Sequence, residues 1–112
     1  MKATALILAT LLSGCAVTAS DVRQGTTPLE FSSLKPHKEV ALCIADGWEA
    51  YRQTDMRETR NGYSVSLRFS DIHTIAVADI IKQGEGSKTL YYGQDLQGAG
   101  MLRYTGVVRT CQ

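Results

Sequence analysis

Ser70, Asp71 and His73 fall within four positions of one another. Those residue types are the nucleophile, orienting acid and base of acyl-transfer enzymes. A working triad, however, is assembled from separate parts of a fold so that the base sits on the nucleophile. Three neighbours on one short stretch read instead as a strand-ending turn, with Ser70 and Asp71 bonding local backbone. His37 and His73 are the only histidines. With Asp71 they make a sparse ligand set, without helical His pairing or a Cys-x-x-Cys, so the sequence predicts no metal site. Gly84-Glu85-Gly86-Ser87-Lys88 has the glycines of a phosphate loop. The order Ser-Lys, followed by an extended run, is not the Gly-Lys-Ser/Thr that opens a helix over a phosphate, so no nucleotide cofactor is expected. The prediction is a protein that is not an enzyme, the alternative being a small periplasmic hydrolase using Asp71 and His73.

Arginine and tyrosine are enriched where proteins meet partners, and this chain has Arg57, Arg68, Arg103 and five tyrosines. Tyr63-Ser64-Val65-Ser66-Leu67-Arg68-Phe69 alternates apolar and polar without a break. As a strand it would show Val65 and Leu67 to a core and Ser64, Ser66 and Arg68 to water. Those three residues are the candidate partner-binding face, suited to another envelope protein or an anionic glycan. With 12 basic and 11 acidic side chains in 112 residues, there is no charge excess to attract nucleic acid.

The start of the chain carries an address. Lys2 precedes an apolar stretch from Ala3 to Leu12, and Leu12-Ser13-Gly14-Cys15 follows. A positive n-region, a short h-region and small residues at a cleavage point describe a signal peptide. The apolar run is shorter than the roughly 20 residues that cross a bilayer. Leu12-Ser13-Gly14-Cys15 resembles the lipobox of bacterial lipoproteins. The resemblance covers residues 1–15 only. It implies cleavage before Cys15, diacylglycerol on its sulfur and an acyl chain (such as palmitate) on its amine. Ala16, rather than Asp, after that cysteine implies sorting to the outer membrane, with the domain in the periplasm. Two or more acyl chains anchor stably where one does not. Loss of residues 1–14 removes Lys2 and leaves 11 basic against 11 acidic side chains.

The elements follow from hydrophobic period. Residues 15–36 show neither helical nor alternating pattern and read as a lipidated N-terminus and flexible tether, with Leu29 to Leu34 able to dock. A single small domain is expected over 37–112. Val40, Cys43, Ile44, Gly47, Trp48 and Tyr51 form one apolar stripe, predicting an N-terminal amphipathic helix over 37–53. Gly47 on that stripe predicts close approach to a sheet. Asn61-Gly62 predicts a type I′ hairpin, with positive φ at both residues, between Met56–Arg60 and Tyr63–Phe69. Thr74–Lys82 is β-branched and reads as a central strand, with a helix as the alternative. Lys88–Tyr92 returns from a glycine loop, and Met101–Cys111 reads as a last strand, with Gly106 marking a bulge or close helix contact. The expected fold is α+β: one helix on an antiparallel meander of about five strands. Cys43 and Cys111, 68 positions apart, are expected to form a disulfide in an exported, oxidising compartment, tying that helix to the last strand; the alternative is two free buried thiols.

Overall fold

The computed structural model describes residues 16–93 and 99–112. The lipobox and the residues before it therefore lie outside the described residues. In chain order the elements are α1 (Ala19–Gly25), β1 (Leu29–Ser33), α2 (His37–Glu49), β2 (Gln53–Thr59), β3 (Gly62–Ser70), β4 (His73–Gln83), β5 (Gly86–Gly93) and α3 (Ala99–Thr110). The five strands make one sheet in the order β1-β5-β4-β3-β2, every neighbouring pair antiparallel. The architecture is α+β, and β2 to β5 form the expected meander.

The predicted stripe builds α2. Pro36 holds an extended conformation at its N-cap, and Glu39 places a negative charge in the first turn, where the helix dipole favours it. Val40, Ile44 and Trp48 are fully buried, with Ala41 and Ala45 beside them. They meet the inward face of the sheet: Val65 and Leu67 from β3, Ala76, Ala78 and Ile80 from β4, and Tyr91 from β5. The Trp48 indole N–H donates to the Tyr104 carbonyl oxygen at 3.1 Å, so the largest core side chain leaves no buried donor unpaired.

Several expectations are corrected, most of them at the C-terminal end. Residues 101–111 are not a strand; 101–110 belong to α3 and Cys111 follows in a turn. Tyr104, Val108 and Cys111 recur at i, i+4 and i+7, and all three are buried on the side facing α2 and the sheet. The Cys43–Cys111 disulfide forms, with Cα atoms 5.7 Å apart, but it joins α2 to the end of α3 rather than to a strand. The close approach at Gly47 is likewise to α3: a Cβ there would press on the Val107 side chain at 2.5 Å. Gly106 faces open space and marks neither a bulge nor a helix contact.

The fifth strand comes instead from Leu29–Ser33, the part of residues 15–36 expected to be able to dock. β1 pairs β5 from Leu29↔Tyr91 to Ser33↔Ser87. Ahead of it, Thr18 and Asp21 form a reciprocal capping box that starts α1, and Val22 of α1 is buried. Among the described residues, the helix over 37–49 is thus the second of three, with α1 ahead of it.

The turn before β3 also differs. Thr59 pairs with Gly62, so Arg60 and Asn61 are the loop, and neither Asn61 nor Gly62 has positive φ. Gly62 is a strand residue beside β4, where a Cβ would overlap the Ile80 carbonyl oxygen. Among the described residues the left-handed glycine is Gly84, at φ 60°, in the two-residue turn between Gln83 and Gly86.

Candidate functional site

On the sheet face away from α2, strand alternation sets out Asp55 and Arg57 of β2, Ser64, Ser66 and Arg68 of β3, and Asp79 of β4. The sequence predicts a solvated face here, and α1 covers part of it. The Arg23 guanidinium of α1 donates two bonds to Asp79, Nε to Oδ2 and Nη2 to Oδ1, each at 2.8 Å. The same Nη2 donates to Ser64 Oγ at 2.9 Å. Asp79 stabilises the charged guanidinium and raises the Arg23 pKa further, with burial opposing. Ser64 is therefore buried, holding α1 rather than facing a partner.

Ser66 and Arg68 remain half-exposed. Arg68 is paired to Asp55 across β2 and β3, so its charge is partly satisfied within the sheet. A break in register between Leu67 and Arg68 leaves Ile75 as the extra residue on β4, which turns Thr74 to the same side as Arg68. Above these residues runs the chain entering α1. Val17 N donates to the Ile72 carbonyl and the Val17 carbonyl accepts from Thr74 N, both at 2.9 Å. The result is a cleft of about 400 Å³. Its floor is Asp55, Arg57, Ser64, Ser66, Arg68 and Thr74, its wall Ala16 to Ala19, and its rim Asp71 and Ile72. Two guanidinium groups among hydroxyls and carboxylates, beneath the apolar Ala16, Val17 and Ala19, offer hydrogen bonds to a small polar or anionic group or to an extended segment.

The other candidates are placed apart. Ser70 and His73 pair across the Asp71-Ile72 turn, and the edge of the His73 ring meets Phe69. His37 stacks with Tyr63 at the opposite end of the β3–β4 hairpin, centroids 5.5 Å apart. At about 3.3 Å per residue along β3, the two histidines are separated by roughly 20 Å. Among the described residues no group of three or more His, Cys, Asp or Glu side chains is arranged to hold a metal ion. Arg103 lies on α3, over the Tyr51 ring, and does not share a face with Arg57 and Arg68. Tyr91 is buried against Trp48, while Tyr92 points to the α1 side.

Sequence reasoning missed Arg23, Asp55 and the Ala16–Ala19 wall. The available signal was Thr18-x-x-Asp21, a capping-box spacing that marks a helix start. No family model, no curated protein and no solved structure matches this chain.

Proposed function

We propose that this chain is a lipid-anchored protein of a bacterial cell envelope. Acyl chains on Cys15 hold it in the outer membrane, and its domain works in the periplasm by binding rather than by catalysis. The observation that carries this reading is the ordered run of Lys2, the apolar stretch to Leu12, and Leu12-Ser13-Gly14-Cys15. The disulfide is consistent with an oxidising compartment. The binding surface is the cleft over Ser66, Arg57 and Arg68, and its partner is an anionic glycan or a polar segment of another envelope protein. Arg68 supplies a planar donor, and Asp55 keeps that donor oriented while it waits for a ligand.

Labelled palmitate tests the anchor. The reading expects incorporation into the native chain and none into Cys15→Ser; label retained by Cys15→Ser would refute it. Chemical crosslinking of the lipidated protein in envelope preparations tests the cleft. Arg57→Gln/Arg68→Gln should lose the crosslinked partner while its melting temperature changes little, and an unchanged crosslink pattern would reject the cleft as the binding surface.

A further inference from the structure

One end of the sheet combines three features that belong together at a membrane. The first is its distance from the lipid attachment. Val17 is fixed to the β3–β4 turn by its two backbone bonds to Ile72 and Thr74. Cys15 precedes it by two residues, a reach of at most about 7 Å of extended chain. The second is exposed apolar surface. Ile72 in that turn and Phe69 just before it are 60% and 65% accessible, and Tyr51 and Leu102 add exposed surface near the same end. The third is a set of guanidinium groups laid over the aromatic rings. Arg52 sits 4.9 Å from the Phe69 ring centre and Arg103 5.0 Å from that of Tyr51. Aromatic rings flanked by arginines are what the lipid headgroup region accommodates: the rings enter, and the long cations reach phosphate.

We propose that this end of the domain rests on the phospholipid surface, with Phe69 and Ile72 entering the interfacial layer and Arg52 and Arg103 meeting lipid phosphates. The proposal rests on the lipidation of Cys15. It gives the short connection a consequence: the domain does not swing on a tether but stands on one end. The sheet then runs away from the bilayer, and the cleft beside Ala16–Ala19 opens close to the membrane. The opposite end, where Leu34 and the Gly84 turn lie, points into the periplasm.

The test places a fluorescent reporter at each end of the full-length, lipidated protein in phosphatidylethanolamine–phosphatidylglycerol vesicles with brominated acyl chains. Phe69→Trp and, as a second reporter, Ile72→Trp are compared with Leu34→Trp, and the native chain supplies the Trp48 background. All three sites are exposed, so the substitutions leave the core intact. A side chain buried 5–10 Å into the interface is quenched, so emission at 69 and 72 should fall roughly twofold against unbrominated vesicles while emission at 34 stays unchanged. Palmitate label on the same preparations separates the failures. Labelled protein with no quenching at 69 or 72 overturns the orientation alone. Absence of label from the native chain removes the anchor, and the orientation with it.

Discussion

The two faces of the sheet are built on different physics. Toward α2 and α3, the contact is almost entirely apolar: Trp48, Ile44, Val40, Val65, Leu67, Ile80 and Val108 are buried together, and a covalent bond closes the helix pair over them. Toward α1, two buried valines, Val22 of α1 and Val77 of β4, are accompanied by a guanidinium, a carboxylate and a serine hydroxyl. The first arrangement is non-directional and sums over area, so it supplies most of the folding free energy. The second is directional and contributes little net energy, but it fixes where Arg23 and α1 stand over the sheet. The helix-side face holds the molecule together, and the α1 side arranges groups that can meet a ligand. Substitutions should therefore sort by face.

The largest effect is expected where the backbone itself has no room. Gly62→Val sets its Cβ on the Ile80 carbonyl, and no rotamer relieves that, so thermal unfolding should show a loss of about 4 kcal/mol or more. A small change in melting temperature would mean that β3 and β4 separate easily, against the picture of a rigid central pair. Next is the disulfide. Cys43→Ala and Cys111→Ala should each cost roughly 4 kcal/mol on the chain-entropy account, and the double variant should cost no more than either one. Additive losses would show that the two sulfurs act independently.

On the α1 side the expected loss is smaller. Arg23→Ala releases Asp79 and Ser64 together and should lower stability by about 1–2 kcal/mol. Amide exchange should rise in α1 and not in α2; equal loosening of both would erase the distinction between faces.

Tyr91 provides a pH test of the apolar side. Burial pushes its phenol pKa up and the Tyr104 charge adds to this, while the neighbouring Thr105 side chain pulls it partly back. The Tyr91 hydroxyl forms no hydrogen bond of good geometry. Because the folded-state value lies above the unfolded one, the associated stability is complete below the ordinary tyrosine value of about 10 and is lost as pH rises through the folded-state value. Tyr91→Phe should change neutral-pH stability by less than about 1 kcal/mol and flatten part of the alkaline decline. An alkaline melting curve unaltered by the substitution would rule out Tyr91 as its source. The last two are Arg68→Glu, at about 1 kcal/mol because it sets a carboxylate against Asp55, and His73→Ala, within about 0.5 kcal/mol. Only the first should weaken partner capture; the reverse pattern, in folded protein, would favour hydrolysis through Asp71 and His73.

What could be read from the chain alone was local pattern. The α2 stripe, the alternation of β3 and the β-branched run of β4 each state their period within a single element, and each forms the element its period says, although α2 ends at Glu49, before Tyr51, and Phe69, beyond the register break in β3, is exposed. Misreading began where period and propensity disagree. In 101–111, Gly106, two threonines and two valines suggest a strand, whereas Tyr104, Val108 and Cys111 keep helical spacing; burial against α2 decides for the helix. β1 was obscure for another reason. Its partner β5 lies nearly sixty positions downstream, and an edge strand of Leu-Glu-Phe-Ser-Ser acquires its meaning only from that pairing. The candidate face was legible as a face, since Ser64, Ser66 and Arg68 do share one side. That Ser64 would be consumed in holding α1 depended on Arg23, forty-one residues away.

Anchor and staple can be read together in a single measurement, the intact mass of the protein extracted in detergent from the cell envelope. The account predicts a chain beginning at Cys15, heavier by a diacylglyceryl group and an amide-linked acyl chain, and lighter by the hydrogens lost in closing Cys43 to Cys111. A chain that retains residues 1–14, or that begins at an unmodified Cys15, would contradict it.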